Sequence, residues 1–223
     1  MSLKIRYLKI QFEASIKPFE LPAFRGAVIK CAGRENIHFH NHLGDGYLYG
    51  YPVIQYKMIG GSPSLICVDY GVDEVHHFFE KNRSKVTISD REVSLAVKSI
   101  SMQQYQMQVW ENTFDYRLKN WLAINQENHK KYNQLSNDID RITFLEKVLV
   151  GNILSFAKGI KWFIDKEVKV RIDSIVSTRT VPYKEQRLLA FDINFKTNVF
   201  LPDHLGIGKG ISLGFGTVTR ERK

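Results

Sequence analysis

Between Asp138 and Gly159 apolar side chains return every three or four residues, at Ile139, Ile142, Leu145, Leu149, Ile153 and Phe156. That is the period of an α-helix with one apolar face. Asp138 and Asp140 complement the positive end of its dipole, and Lys158-Gly159 marks its end. Such a helix must lay its apolar face on something. The residues that follow supply it, because Val168, Val170 and Ile172 alternate with Lys169, Arg171 and Asp173, and Leu189, Phe191, Ile193 and Phe195 alternate with Ala190, Asp192, Asn194 and Lys196. Period-two alternation is the mark of strands with one buried face. The two are expected to pair as a hairpin joined through Pro182. A further strand is expected over Phe114 to Ile124, and the polar run Asn125 to Asn137 reads as an exposed loop or a ragged helix start.

The first half repeats this grammar. Leu8, Ile10 and Phe12 alternate with Tyr7, Lys9 and Gln11, so a strand opens the chain. Leu21, Phe24, Val28 and Cys31 then fall on one helical face, with Pro22 in the first turn and Gly33 after the last. Tyr51 to Met58 and Ser64 to Val68 read as strands around Gly60, Gly61 and Pro63, Val72 to Lys81 as a second helix, and Val93, Leu95 and Val97 as a last strand. The order β-α-β-β-α-β is the ferredoxin-like, or RRM-like, pattern. Since β-α-β-β begins again in the second half, the expectation is an α+β protein of two tandem ferredoxin-like units, residues 1–107 and 108–223.

Charge narrows the partner. Of 223 residues, 32 are Lys or Arg and 23 Asp or Glu, a net charge of +9, which favours a polyanion such as nucleic acid. The cation-studded start, Met1 to Ile10, lacks a signal-peptide core, and Val148 to Ala157 is far shorter than the roughly 20 apolar residues a membrane span needs. A soluble, cytoplasmic protein without membrane contact is expected. Cys31 and Cys67, each in apolar surroundings, read as buried free thiols.

Two constellations carry chemistry. Three of the seven histidines, His38, His40 and His42, alternate just after the first helix, in a segment that also holds Tyr47, Tyr49 and Tyr51. In extended conformation the three imidazoles would share one face, so a metal site is one reading. Against it, only Asp45 stands nearby as a further ligand. The other reading is proton transfer, since imidazole both takes and gives a proton near neutral pH. Cleaving RNA through its own 2′-OH needs a base, an acid and a cation, and Lys30 lies toward the end of the preceding helix. His76 and His77, adjacent on the second helix, are expected to face different ways. His129, with Lys130 and Lys131, reads as part of a solvated face.

The second constellation is Leu205 to Thr217, where Gly206, Gly208, Gly210, Gly214 and Gly216 are five of the fifteen glycines. A glycine-rich loop lets backbone N–H groups approach phosphate oxygens, and Lys209 adds charge. The loop lies just before the last strand expected of the second unit. It has neither the Walker nor the dinucleotide-binding pattern. A flexible C-terminal hairpin with a glycine-rich turn is the plainer account. Arg171, Arg179, Lys184 and Arg187, near the second hairpin, are the remaining candidates for phosphate contacts.

Taken together, Pro22-Ala-Phe-Arg-Gly26, the run His38 to Gly46, the turn after the central helix and the loop Gly206 to Gly216 resemble the CRISPR-associated repeat-processing endoribonucleases, the Cas-six family, and most of all its subtype-b branch. The resemblance implies metal-independent, cofactor-free cutting of CRISPR repeat RNA, the pre-crRNA, to a 2′,3′-cyclic phosphate and a 5′-hydroxyl. It implies His38 and His40 as acid and base, with the order open between them, Tyr47 as a hydroxyl donor and Lys30 as a charge stabiliser. His42 reads as structural. Gly206, Gly208, Lys209, Gly210, Ser212, Gly214 and Gly216 would hold the RNA backbone. A homodimer and a CRISPR effector complex are candidate further partners. The rival readings are an RNA-binding subunit that does not cut and a histidine-ligated metal hydrolase.

Overall fold

The computed structural model describes residues 2–33, 35–39, 42–43, 46–47, 50–80 and 85–221. In chain order these form β1 (Leu3–Phe12), α1 (Leu21–Ala32), a 3-10 turn (Ile37–Phe39), the short strands β2 (His42–Leu43) and β3 (Gly46–Tyr47), β4 (Ile54–Ile59), β5 (Ser62–Val68), α2 (Gly71–Glu74) and α3 (His76–Glu80). There follow β6 (Lys85–Ile88), β7 (Arg91–Ser94), β8 (Val97–Met107), β9 (Val109–Trp121), α4 (Gln126–Gln134), α5 (Asp138–Gly159), β10 (Val170–Tyr183), β11 (Gln186–Val199), a 3-10 turn (Ile211–Leu213) and β12 (Thr217–Arg220). The chain is a mixed α/β protein with antiparallel pairing in its sheets. Its contacts divide it into two compact units, one of Lys4–Gln106 with Ser212–Gly214, the other chiefly of Met107–Ile211 with the segment from Phe215 onward.

In the N-terminal unit the sheet order is β4-β5-β1-β8. Ile10 pairs with Leu65, and Leu65 with Tyr56, so these side chains share one face. That face packs with Phe24 and Val28 of α1 and with Phe78 of α3 in one apolar cluster. Pro63 lies within β5, contrary to the expected turn, which Gly60 and Gly61 make by themselves with positive φ. The proline fits because pairing with β1 starts one residue later, at Ser64 with Gln11, so its missing N–H leaves no ladder bond unmade.

The expected helix from Val72 to Lys81 is interrupted at Val75. The His76 ring Nδ1 bonds the carbonyl of Asp73, the acceptor that a continuous α-helix would give to the N–H of residue 77. The single strand expected over Val93, Leu95 and Val97 is divided, with Val93 in the hairpin β6–β7 and Val97 opening β8. The hairpin's turn residues Ser89 and Asp90 both have positive φ, as a two-residue hairpin turn requires.

The C-terminal unit has the order β10-β11-β9-β12. Helix α5 buries Leu145, Leu149, Ile153 and Phe156, the expected stripe. Ile139, read as part of that stripe, is 76% exposed. It precedes the stretch that the sheet covers. Asn137 caps the helix by accepting from the Asp140 N–H at 2.8 Å. The run from Asn125 contains α4, capped in the same way, with the Asn128 N–H donating to Asn125 Oδ1 at 2.7 Å. Pro182 lies inside β10 opposite Arg187 and does not make the turn, which falls at Lys184 and Glu185. Strand β10 is a sheet edge, where a residue without an N–H is tolerated.

Cys67 is buried and Cys31 half-buried, and both are free thiols. No helix among the described residues is long and apolar enough to cross a membrane.

Two outcomes test this packing. Phe156→Ala should lower the unfolding free energy by about 3–5 kcal/mol, and Ile139→Ala by under about 0.5 kcal/mol, read by urea denaturation. Lys57 is buried in β4, and desolvation pulls its amine down to about 7. Above that pH the unfolded chain still binds a proton there that the folded chain has released, so stability should rise between pH 7 and 8.5, and Lys57→Met should flatten that slope.

Candidate functional site

The N-terminal site is built on the 3-10 turn that follows α1. Phe39 is buried, and its carbonyl accepts the hydroxyl of Tyr56 at 3.0 Å. Tyr56 is itself buried and packs edge-on against Phe24 of α1. The turn is therefore pinned at Phe39, and the preceding residue, His38, stands half-buried at the surface of the unit.

Three side chains surround the His38 ring. Tyr70 meets it edge to face, with ring centroids 5.4 Å apart. Glu74, the last residue of α2, places Oε1 3.9 Å from His38 Nε2. Asn36 accepts the His38 backbone N–H at 3.3 Å and donates its amide to Glu74 Oε2, also at 3.3 Å. Arg6 of β1 holds the preceding turn of α2 from behind with two bonds to the Asp73 carboxylate, at 2.6 and 2.7 Å. That guanidinium keeps the Asp73 carboxyl below its usual range. Burial, with Asp69 second, raises the Tyr70 phenol.

The sequence reading missed Asn36, Tyr70 and Glu74. Asn36 stands two positions before His38, but Glu74, which it bonds, comes 38 positions after Asn36 in the chain. Only Glu74, as a carboxylate near the histidine pair of the second helix, offered a signal. The premise that His38, His40 and His42 share one extended face fails at His38, which is on the 3-10 turn. His40 lies outside the described residues. His42 pairs by backbone with Tyr47 across β2 and β3. Lys30 is exposed in the last turn of α1, where a cation complements the negative end of the dipole.

His76 and His77 do not face different ways, for their ring centroids are 3.9 Å apart. The break at Val75 frees them from ideal helical spacing.

In the C-terminal unit the glycine loop follows β11 and precedes β12. Leu205, Ile207 and Ile211 are its buried anchors. The Ile207 N–H donates to the Gly216 carbonyl at 2.7 Å, and the Gly216 N–H to the Asn120 carbonyl at 3.0 Å. A Cβ at Gly216 would lie 1.8 Å from the Ile207 carbonyl oxygen, and the residue has φ +59°. At Gly208, φ +94°, a Cβ would stand 2.8 Å from the ring of Trp121, whose indole donates to Asn152 of α5 at 2.9 Å. Close packing accounts for both glycines without a ligand. Gly206 and Gly216 are buried, whereas Gly208, Gly210, Ser212 and Gly214 are partly exposed. Lys209 is exposed and extends its ammonium over the ring of Tyr183, 5.2 Å from the centroid.

Arg171 bonds Asp173 at 3.1 Å, and Arg179 bonds Asp192 at 3.2 Å and also Asn120. Their charges are thus partly answered within the chain. His129 and Lys130 are exposed, as the reading of a solvated face expects, and with Arg187 they line a cleft of about 610 Å³ that also includes Ile124, Leu188 and Leu189.

Two family matches cover this chain end to end. The Cas6b N-terminal domain family matches residues 1–106, and the Cas6b C-terminal domain family matches residues 108–221. The chain belongs to the Cas6b family. Among solved structures it is similar to one described as the crystal structure of Cas6b, at TM-score 0.89 and 28% identity, over 98% of this chain and 100% of the other. A second, described as the CRISPR RNA processing endoribonuclease Cas6b, matches at TM-score 0.74 and 26% identity, again over 98% and 100%. An uncharacterized protein of Methanocaldococcus jannaschii is 35% identical over 113 residues, 50% of this chain and 76% of that protein.

Within this Cas6b chain the two kinds of loop residue should separate experimentally. Gly216→Ala should lower the melting temperature sharply, because the added Cβ strikes backbone that cannot move aside. Lys209→Ala should melt as the parent does, and should lower the salt slope of single-stranded RNA binding by roughly 0.7.

Proposed function

We propose that this protein is an endoribonuclease that cuts CRISPR repeat RNA through the 2′-OH of the nucleotide before the break. The 2′ oxygen bonds to phosphorus, the bond from phosphorus to the 5′ oxygen breaks, and a 2′,3′-cyclic phosphate and a 5′-hydroxyl result. One imidazole takes the 2′-OH proton and another gives a proton to the departing 5′ oxygen. His38 and His40 are the pair assigned, with the order between them open. Tyr47 is assigned to the phosphate as a hydroxyl donor, and Lys30 to the charge that builds on the phosphorane. No metal enters the scheme.

The observation that carries this reading is the setting of His38. A ring held half-buried, with a carboxylate at 3.9 Å and an aromatic edge on its flank, is arranged for proton transfer. Glu74 complements the imidazolium that His38 becomes when it holds a proton, and Asn36 steadies Glu74. A subunit that only binds RNA gains nothing from this arrangement. The name of one similar structure, a CRISPR RNA processing endoribonuclease, favours the same substrate.

Each unit is inferred to be ferredoxin-like. With its four main strands numbered along the chain, either sheet runs 2-3-1-4. The first unit, residues 1–107, is assigned the chemistry. The second, residues 108–223, is assigned the RNA backbone through Lys209 and the exposed part of the glycine loop. It departs from the pattern in one respect, since the glycine loop with its 3-10 turn stands where the second helix would be.

Repeat RNA incubated with the protein in excess EDTA should be cut, and RNA with 2′-deoxyribose before the break should not. Cutting only with metal, or of the deoxy substrate, would overturn the mechanism. His38→Ala together with His40→Ala should lower the single-turnover rate by about 10²–10⁴ while RNA binding survives. Glu74→Gln should lower the rate less and shift its pH profile, as befits a positioning residue.

A further inference from the structure

One cluster of metal-binding side chains among the described residues does not include the His38 ring, although Glu74 stands between the two. A ligand atom from each of His76, His77 and Glu80 lies within 4.8 Å of the others. The two imidazoles are tilted by 38° and close together, so both address the same space beside α3. Two imidazoles and a carboxylate, with water in the fourth position, form a ligand set that a divalent transition ion accepts. Around an ion with bonds of about 2.0–2.2 Å, neighbouring ligands stand roughly 3.4 Å apart. His77 and Glu80, at 3.6 Å, are near that already, and a separation at the 4.8 Å limit must close by about 1.4 Å. Glu80 is 64% exposed and its side chain is free to swing that far.

What separates this cluster from a chance grouping is how the rings are held from behind. A ligating histidine ordinarily gives its second ring nitrogen to a carbonyl or a carboxylate, which sets its tautomer and aim. One such bond is formed, and a carboxylate stands within ion-pair reach of the other ring. His76 Nδ1 bonds the Asp73 carbonyl, which leaves the Nε2 lone pair outward. His77 turns Nε2 to Glu74 Oε2 at 3.8 Å and Nδ1 to Glu80 Oε2 at 3.6 Å. The break at Val75, which interrupts the helix, is what brings the Asp73 carbonyl into this role.

We propose that His76, His77 and Glu80 form a surface site for one divalent transition-metal ion, with the Asp73 carbonyl and the Glu74 carboxylate as its outer shell. Zn²⁺ suits the ligand set, because it takes imidazole and carboxylate together and tolerates an open water position. The site stands independently of the nuclease reading, since occupancy is measured without RNA.

The test is calorimetric titration of metal-stripped protein with ZnCl₂. One saturable equivalent is expected that His76→Ala and Glu80→Gln each weaken by tenfold or more. Glu74→Gln should weaken it less, and a His38→Ala, His42→Ala double variant should leave it unchanged. Melting curves without metal, expected to match the parent for the exposed His76 and Glu80 positions, separate lost binding from lost folding. Absence of any saturable equivalent would overturn the proposal. So would an equivalent that survives His76→Ala but vanishes in the double variant, since the ion would then belong to the histidine loop.

Discussion

The hydrogen bond from the Tyr56 hydroxyl to the Phe39 carbonyl links the sheet of the N-terminal unit to the turn that holds His38, the residue proposed to take part in proton transfer. A phenol buried this deeply must find a partner or lose roughly 1–3 kcal/mol of solvation, so the contact is held by a penalty for breaking it. Its acceptor is the backbone carbonyl of the last residue of the 3-10 turn. Tyr56 is fixed in turn by Phe24 and the core beneath α1. The exposed end of this chain of contacts is His38. Its ring is thereby placed by the core, and its immediate neighbours Tyr70 and Glu74 arrive from α2 and the residue before it, beyond β4 and β5 in the chain.

Electrostatics in that corner are arranged in layers. Arg6 holds Asp73 with two short bonds, which anchors α2 to β1. Glu74, one residue on, has one oxygen toward His38 and the other toward Asn36 and His77. A single carboxylate thus stands between the proposed proton-transfer ring and the proposed metal ligands. Because Glu74 is only partly exposed, its influence is less screened than that of a surface carboxylate. Either ring that gains a positive charge alters what the same carboxylate offers the other.

The glycine loop shows how one sequence pattern serves two demands. Gly216 and Gly208 are glycine because a backbone carbonyl and an indole ring occupy the places where a Cβ would stand. Those contacts press the loop onto β9 and α5, and the fixed loop then presents Lys209 at the surface beside Tyr183. In the proposed role packing would precede recognition, since a rigid base is what gives an exposed lysine a defined place.

Elements with a strong period were legible in the residues themselves. The stripe from Leu145 to Phe156 and the alternation over Phe191, Ile193 and Phe195 each leave one face to bury, and those residues are buried. At the head of β11, against the expected alternation, the structure buries Leu188 and Ala190 and leaves Leu189 half-buried. Ile139 shows the limit of that inference, since a period marks a face but not where its cover ends. Pro63 and Pro182 show another, because whether a proline ends a strand depends on which neighbour would have accepted its N–H, and that is a property of the assembled sheet. The histidine-tyrosine segment and the glycine loop announced themselves as unusual, and the family resemblance followed from them. What the sequence by itself determined, then, was the periodic elements and the residue types concentrated in two loops, because both are local properties of the chain. Only the tertiary structure decided that Tyr70 and Glu74 flank His38, that His76 and His77 converge, and that Arg179 is partly neutralised by Asp192. Each of those depends on a broken helix, a sheet register or a long-range ion pair, and none of these leaves a mark at a fixed spacing along the chain.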